Sequence, residues 1–297
     1  MIQTHAVSLP HGITLACRSV PAPFEGAPRV LLLHGFPEAA FVWDELMGLL
    51  APHAHCVAPN LRGYPGSSAP DDIAAYRAKP LVQDVAALIA ALTPPGAGAL
   101  DLLVAHDWGG ALAWNLAAQQ PQLLKRLLII NSPHPATFLR ELRHSPEQQA
   151  ASAYMSFLCR PDAETLLAEN GHARLLKFFH QPAWLTPALQ QSYLEAWTYH
   201  ASGLRGPLNY YRASPLRPAT GPDDLLHSLV LPDAMVTVSL PTTVLWGEGD
   251  VALRPGLLQG LQQWVPQLDL RLVPEATHWL VHEQPERVAA VVRSLLG

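Results

Sequence analysis

A chain of 297 residues, 49% hydrophobic and only 14% charged, can bury a large core and is too apolar to be intrinsically disordered. Its net charge of −5, without a basic run, argues against nucleic acid or an acidic membrane as a partner. Cys17, Cys56 and Cys159 are widely spaced and odd in number, which predicts buried thiols rather than a metal or redox motif. No secretory signal and no membrane-length apolar run are visible, so we expect a cytoplasmic protein.

The first 134 residues alternate between strand-like and helix-like patterns. The predicted strands are short apolar or alternating runs that cover 3–9, 13–20, Arg29–Leu33, His55–Pro59, 100–105 and Leu127–Ile130. The predicted helices have apolar residues at helical spacing and cover 41–50, 82–92 and 111–118. Such alternation requires right-handed crossovers, so we expect a mostly parallel sheet with helices on both faces.

The alternation stops after residue 134. From there to residue 238 the patterns are helical and rich in aromatic residues, with helices predicted over 151–158, 163–179, 187–200 and 204–211. Strand and helix patterns return at 242–246, 257–265, Leu268–Val273 and Pro285–Leu296. We therefore predict an α/β core made of residues 1–134 and 239–297. A helical cap, 135–238, would interrupt it after the sixth strand and lie over the carboxyl ends of the strands.

One predicted strand of the core ends in a turn that carries a carboxylate. The strand at 100–105 runs into Asp107, and Gly109 and Gly110 follow before the next helical pattern. A strand that turns sharply into a helix projects the residue at the turn from the sheet edge, beside the electropositive end of the helix. Asp107 stands where such turns more often carry a serine nucleophile. The alternative is that Asp107 only caps the helix, since aspartate is a favoured N-cap residue.

Two later loops supply partners for a nucleophile at Asp107. Asp250 ends the loop that follows the predicted strand 242–246, and His278 follows the last predicted strand. The order of nucleophile, acid and histidine along the chain is typical of α/β-hydrolases. Glu248 is the alternative acid in the same loop as Asp250.

A carboxylate nucleophile implies a reaction in two steps. An aspartate carboxylate has an ordinary pKa of about 3.9 and is already ionised at neutral pH, so it needs no base to open a strained or activated carbon, which gives an alkyl ester. His278, oriented by Asp250, is then free to activate water against the ester carbonyl. We expect the backbone amides of Phe36 and Trp108 to stabilise the oxyanion of this second step.

These segments resemble the α/β-hydrolase-fold epoxide hydrolases over nearly the whole chain. The matching segments are His34-Gly35-Phe36-Pro37-Glu38, His106-Asp107-Trp108-Gly109-Gly110, Asn131-Ser132-Pro133, Gly247-Glu248-Gly249-Asp250 and Thr277-His278-Trp279. The chain departs from the family in its glycine-rich loop, where Asn60 and Pro65 stand at positions usually held by aspartate and glycine. The resemblance implies an α/β-hydrolase fold with a cap and conversion of an epoxide to a vicinal diol. It implies neither a cofactor nor a metal.

The family also places two tyrosines in its cap, which hydrogen-bond the epoxide oxygen and protonate it. The later one lies in a motif that looks like residues 205–212 of this chain, which implies Tyr211. The earlier one falls in a looser pattern that resembles residues 154–158, which implies Tyr154.

The aromatic residues near these motifs predict an apolar substrate cavity. The side chains that we expect to line it are Phe36, Trp108, Phe157 and Trp279. The expected partners are a small apolar epoxide and water. The sequence sets no oligomeric state, and a homodimer is among the arrangements that it allows.

Two other functions compete with epoxide hydrolysis. Haloalkane dehalogenases share an aspartate nucleophile followed by tryptophan, but Phe36 stands here where they often carry an asparagine that helps to hold the halide. Haloacid dehalogenases of similar sequence look like a form with arginines beside the nucleophile, whereas Trp108 and Ala111 occupy those positions in this chain. A non-catalytic ligand-binding protein on this fold would be expected to lack a triad member, and the sequence lacks none.

Overall fold

In the computed structural model, eight strands form a single sheet. They are β1 (Gln3–Ser8), β2 (Thr14–Val20), β3 (Arg29–Leu33), β4 (His55–Pro59), β5 (Leu102–His106), β6 (Leu127–Ile130), β7 (Thr242–Gly247) and β8 (Leu268–Val273). Their order in the sheet is β1-β2-β4-β3-β5-β6-β7-β8. Within this described sheet, β2 pairs antiparallel with both β1 and β4, and the neighbours from β4 to β8 run parallel. The structure describes residues 1–93, 96, 98–180, 182–201 and 203–297. The predicted mostly parallel sheet is confirmed.

Helices follow most of the strands. They are α1 (Asp44–Leu50), α2 (Ala78–Leu92), α3 (Asp107–Gln119), α4 (Pro135–His144), α5 (Pro146–Ala151), α6 (Tyr154–Leu158), α7 (Ala163–Leu176), α8 (Pro187–Thr198), α9 (Arg205–Ala213), α10 (Leu225–Ser228), α11 (Asp233–Val236), α12 (Leu280–Glu283) and α13 (Pro285–Leu296). Short 3₁₀ helices cover Ala40–Trp43, Ile73–Tyr76, Pro121–Leu123, Lys177–Phe179, Pro255–Leu258 and Leu261–Gln263.

The predicted helix over 257–265 is wrong. That segment holds two 3₁₀ turns, and they are separated by Gly260, whose φ of +69° lies in the left-handed region. A continuous α-helix cannot pass through this conformation. The predicted helix over 163–179 is likewise interrupted, because residues 169–172 leave helical geometry within α7.

The sheet separates two hydrophobic layers. Side chains alternate along a strand, so Val30 and Leu32 of β3 face one layer while Leu31 and Leu33 face the other. The first layer is covered by α1 and α13, and the second by α2 and α3. Strands buried on both faces are therefore continuous apolar runs, as the sequence of β3 shows.

The segment between β6 and β7 contributes α4 to α11 and is tied to the core by hydrogen bonds. The Trp197 indole donates to the Pro37 carbonyl at 2.7 Å, and the Tyr210 hydroxyl donates to the Arg62 carbonyl at 2.9 Å. The division into a cap, 135–238, and two core segments stays a prediction. Among the described residues, no helix combines the length and apolarity that a membrane span requires.

Asn60 and Pro65, the two residues that depart from the family pattern, contact each other in the loop after β4. The Asn60 side-chain amide donates to the Pro65 carbonyl at 2.7 Å, and its oxygen accepts from the Ala40 amide at 2.7 Å. Asn60 thus fixes this loop against the segment that leads into α1, so the departure is accommodated by local hydrogen bonding.

Candidate active site

Asp107 lies at the sharp turn between β5 and α3, as the sequence predicted. Its φ of +47° lies in the left-handed region, which is strained for aspartate. The turn is possible because its neighbours are glycines. A Cβ atom at Gly109 would lie 2.4 Å from the Leu33 carbonyl oxygen, and one at Gly35 would lie 2.3 Å from the Asp107 Cβ atom. The carboxylate is thereby held at the carboxyl edge of the sheet.

The two oxygens of the Asp107 carboxylate have different surroundings. Oδ1 accepts a hydrogen bond of 2.7 Å from the backbone amide of Phe36. The amide of Trp108 belongs to the first turn of α3, where amides have no acceptor within the helix. The hydroxyl of Ser132 donates to the Asp107 carbonyl at 2.6 Å and holds the turn from the side of β6. Oδ2 is directed towards His278.

His278 bridges the two aspartates. Its Nδ1 lies 2.6 Å from Asp250 Oδ2, and its Nε2 lies 3.7 Å from Asp107 Oδ2. The three residues follow β5, β7 and β8, whose carboxyl ends meet at one edge of the parallel sheet. Within the described part of the chain, it is Asp250 rather than Glu248 that contacts the histidine.

Asp250 is a fully buried carboxylate with its hydrogen bonds satisfied. Oδ1 accepts from the amides of Ala252 and Leu253 at 2.9 and 2.8 Å, and Oδ2 accepts from the Asn131 side chain at 2.9 Å. Burial raises the pKa of Asp250, but His278 and these hydrogen bonds outweigh burial and lower it below the ordinary value. Asp250 is therefore ionised and can orient the imidazole.

Asn131 is a positioning residue to which sequence reasoning assigned no role. It follows β6 with a φ of +38°, and its side-chain oxygen accepts from the Gly247 amide at 2.9 Å. Since its side-chain amide also donates to Asp250, Asn131 fixes the loop that carries this aspartate. The Asn-Ser-Pro motif directly after a buried strand was the available signal.

His278 carries an unusually basic imidazole. Burial lowers its pKa, but the carboxylates of Asp250, Asp107 and Glu38 together outweigh burial and raise the pKa to about 9. With Asp107 ionised, the imidazole is therefore protonated at neutral pH. A change in the charge of Asp107 would change the basicity of His278.

Behind the triad lies a buried polar network centred on Glu38. His106 places its two ring nitrogens 2.9 Å from Glu38 Oε2 and 2.9 Å from the His278 carbonyl oxygen. The Tyr193 hydroxyl of α8 donates to Glu38 Oε1 at 3.3 Å, and His282 Nε2 lies 3.2 Å from the same atom. Burial opposes ionisation of Glu38, but the two histidines hold its pKa well below the usual range. The network positions the backbone of His278.

Tyr154 and Tyr211 line the same cavity as Asp107. The cavity has a volume of about 260 Å³, and its other walls are mostly apolar. The two tyrosine rings lie 6.1 Å apart, and Tyr211 also packs edge-on against Trp108 at 5.1 Å. Burial and the nearby Asp107 carboxylate raise the pKa of both phenols, so they are neutral hydrogen-bond donors in the cavity wall.

Of the four side chains predicted to line the pocket, Trp108 does so. Within the described residues, the other three do not contribute to the cavity wall. Phe36 packs against Tyr211 at 5.2 Å, and Trp279 packs against His278 at 4.9 Å, while Phe157 lies half-buried against the hydrophobic layer. A role for these three in substrate contact stays a prediction. No group of three metal-ligating side chains occurs in the part of the chain that is described.

Comparison with known proteins identifies the family of this chain. A family model described as alpha/beta hydrolase fold matches residues 28–285. A Bacillus subtilis protein named AB hydrolase superfamily protein YfhM is 34% identical over 96% of this chain and 94% of its own length. Epoxide hydrolase 3 of Xenopus tropicalis is 32% identical over 91% of this chain and 71% of its own length.

Solved structures show the same likeness in three dimensions. An epoxide hydrolase from Bacillus megaterium, solved in complex with an inhibitor, superposes with a TM-score of 0.88 at 29% identity, over 98% of this chain and 99% of that one. The likeness thus covers the sheet, the strand-end loops that carry the site and the helices between β6 and β7. The chain therefore belongs to the α/β-hydrolase fold family and is a hydrolase of its epoxide hydrolase branch.

Proposed function

We propose that this hydrolase converts an epoxide to a vicinal diol through a covalent ester at Asp107. The observation that carries the proposal is an aspartate, in place of serine, at the turn of the hydrolase fold. His278 Nε2 lies 3.7 Å from this carboxylate, and Tyr154 and Tyr211 line the same cavity. The relatives named as epoxide hydrolases support the same reaction. The cavity of about 260 Å³ and its apolar walls favour a small apolar epoxide.

In the first step, Asp107 Oδ2 attacks an epoxide carbon. A bond forms between Oδ2 and that carbon while the ring C–O bond breaks, and the leaving oxygen stays in the substrate as an alkoxide. Oδ2 is the suitable atom, since Oδ1 is engaged by the Phe36 amide. The hydroxyls of Tyr154 and Tyr211 donate to the developing alkoxide, and one of them gives up its proton.

Formation of the ester makes His278 a base. Esterification removes the negative charge of Asp107, which lies 3.7 Å from Nε2 and contributes to the raised pKa of His278. The pKa of His278 therefore falls, and its proton can return through water to the tyrosinate. The neutral imidazole, held by Asp250, then takes a proton from the water that attacks the ester carbonyl. Attack on Cγ of Asp107 places the oxyanion on Oδ1, beside the amides of Phe36 and Trp108.

Collapse of this intermediate breaks the bond between Cγ and Oδ2 of Asp107, and the proton of the added hydroxyl passes to Oδ2. Oδ2 leaves as one hydroxyl oxygen of the diol, and the oxygen of the attacking water completes the Asp107 carboxylate. The diol leaves, and the Asp107 carboxylate and protonated His278 are restored, so protons balance over the cycle. In this proposal the helices of residues 135–238 form the cap that supplies the tyrosines, and the two flanking segments form the core.

The test combines product analysis with trapping of the ester. The wild-type protein is expected to release a vicinal diol from styrene oxide. His278→Gln is expected to accumulate a mass increase of one substrate molecule, because the nucleophile remains and the base is lost. Asp107→Asn is the matched control and should gain no mass. Intact-mass spectrometry after minutes of incubation measures both.

Two results would contradict the proposal. A folded His278→Gln variant that never gains mass would exclude the covalent ester. Halide release from haloalkanes, together with no diol from a broad epoxide panel, would assign the same aspartate to dehalogenation.

A further inference from the structure

One proposed oxyanion donor, the Phe36 amide, belongs to a tight turn formed by residues 35–38. The Glu38 amide donates to the Gly35 carbonyl at 3.1 Å and closes this turn. Phe36 is the second residue of the turn, and its amide donates to Asp107 Oδ1 at 2.7 Å. The position of the Phe36 amide therefore depends on the contacts that hold the turn.

The core holds the first half of the turn. His34 Nε2 accepts from the Leu61 amide at 3.1 Å, so the ring proton is on Nδ1, which donates to the Gly35 carbonyl at 2.9 Å. Burial lowers the pKa of His34 to about 4, so the imidazole is neutral at neutral pH and keeps this arrangement. The carbonyl end of the peptide unit that carries the Phe36 amide is thus fixed from the core.

Helix α8 holds the second half of the turn. Tyr193 and Trp197 lie four residues apart on α8, so they face the same side of the helix, and both are buried. The Trp197 indole donates to the Pro37 carbonyl at 2.7 Å, and the Tyr193 hydroxyl donates to Glu38 Oε1 at 3.3 Å. Trp197 therefore contacts the backbone of the turn, one residue beyond Phe36, whereas Tyr193 contacts a side chain.

The two steps of the proposed mechanism make opposite demands on the Phe36 amide. During ring opening, the negative charge of Asp107 passes to the epoxide oxygen, so the hydrogen bond from the Phe36 amide to Oδ1 weakens towards the transition state. During ester hydrolysis, a negative charge develops on Oδ1, so the same hydrogen bond strengthens. A displaced Phe36 amide should therefore slow ester hydrolysis and leave ring opening unaffected.

On the basis of the proposed epoxide hydrolysis, we infer that Trp197 is a positioning residue for hydrolysis of the ester. It acts through the Pro37 carbonyl on the Phe36 amide and touches neither the substrate nor the reacting atoms. The segment between β6 and β7 then serves both steps, because it supplies the tyrosines for ring opening and holds an oxyanion donor for hydrolysis.

Two other buried residues provide matched controls. Tyr210 of α9 donates to the Arg62 carbonyl at 2.9 Å, so Tyr210→Phe breaks a hydrogen bond between the same segment and the core at a place outside the turn 35–38. Trp43 is buried in the same hydrophobic layer as Trp197, and its indole nitrogen has no hydrogen-bond partner among the described residues. Trp43→Phe therefore removes ring volume without removing a hydrogen bond.

The test measures the two steps separately in the full chain. Styrene oxide is mixed with an excess of enzyme, and intact-mass spectrometry of quenched samples follows the formation and loss of the ester. Because complete loss of an oxyanion donor slows such a step about 100-fold or more, we expect Trp197→Phe to slow ester hydrolysis at least about tenfold. Ester formation should keep its wild-type rate, so the ester accumulates and then disappears.

A second replacement separates the hydrogen bond from the packing of the ring. Benzothienylalanine in place of Trp197 keeps the shape of the side chain and exchanges the N–H group for sulfur. It should lengthen the lifetime of the ester as Trp197→Phe does, whereas Tyr210→Phe and Trp43→Phe should leave this lifetime at the wild-type value. A wild-type lifetime in the benzothienylalanine protein would overturn the inference. A longer lifetime in either control would also overturn it, because general loosening of the structure would then explain the effect.

His278→Gln distinguishes failure of this inference from failure of the proposed function. If His278→Gln gains no mass from the substrate, the covalent ester itself is wrong. If it gains the mass of one substrate molecule while both replacements of Trp197 clear the ester at the wild-type rate, the ester stands and the role of Trp197 is wrong.

Discussion

The Asp107→Asn substitution tests the charge coupling on which the proposed mechanism depends. It removes the negative charge 3.7 Å from His278 Nε2 and keeps the shape of the side chain and an acceptor for the Phe36 amide. It therefore reproduces the electrostatic effect of esterification without substrate. We expect the pKa of His278 to fall from its raised value of about 9.

The size of the fall follows from the distance. At 3.7 Å and an effective dielectric constant of about 20, two unit charges interact by about 4.5 kcal/mol, which corresponds to about three pKa units. This is an upper bound, because the side chains of His278 and Asp107 are 12% and 14% exposed and solvent screens part of the field. We expect the pKa of His278 to fall by at least about one unit, while Asp250 and Glu38 continue to raise it.

Nitrogen-detected NMR titration of the imidazoles measures the change. The chain has 14 histidines, so the His278→Gln variant is needed to assign the resonance. Asp223→Asn, which removes an exposed carboxylate elsewhere, controls for the change in net charge. If Asp107→Asn leaves the His278 pKa within half a unit of the wild type, esterification does not create the base, and the second step must be explained differently.

Three further changes follow from the same geometry. Tyr211→Phe is expected to slow ring opening about 100-fold in single-turnover kinetics, because it removes a proton donor, and to leave the melting temperature nearly unchanged. An unchanged rate in Tyr154→Phe would mean that the earlier cap tyrosine is misassigned. Asn131→Ala should lower the free energy of unfolding by about 1–3 kcal/mol in urea titrations and slow ester hydrolysis, since Asp250 loses a buried hydrogen bond. The raised pKa of His278 means that its stabilising contribution is complete below about pH 6.5 and is lost as pH rises through about 9. Wild-type stability should therefore fall over that range relative to His278→Gln; parallel pH profiles would contradict the raised pKa.

The fold could be predicted because its determinants are local. Strands that are buried on both faces must be apolar throughout, which made β3 and β6 predictable from the sequence. A helix with one buried face repeats its apolar residues every three or four positions, which made α2 predictable. The segment 257–265 shows the limit of this reasoning. Its apolar residues fit helical spacing, but the left-handed backbone at Gly260 interrupts the helix, and spacing alone does not reveal it.

The candidate site was predictable where chemistry follows directly after a strand. Asp107 and His278 occupy such loops, and the parallel sheet brings them to one edge. Asn131 and Glu38 were not assigned, because their importance lies in buried hydrogen bonds that join residues more than 60 positions apart. The contacts of Phe36 with Tyr211 and of Trp279 with His278 could not be predicted for a similar reason, since aromatic content does not indicate which neighbours a ring packs against.

The raised pKa of His278 argues that the resting site favours displacement at carbon over acyl transfer. A serine nucleophile needs a neutral histidine before attack, and a histidine with a pKa of about 9 is protonated at neutral pH. A carboxylate needs no such base for its attack, so protonation of His278 costs the first step nothing. In the proposed mechanism, loss of the Asp107 charge on esterification then lowers the pKa of His278 at the stage when a base is first required. The aspartate at the turn thus determines, in the proposed mechanism, both the nucleophile and the step at which the histidine becomes a base.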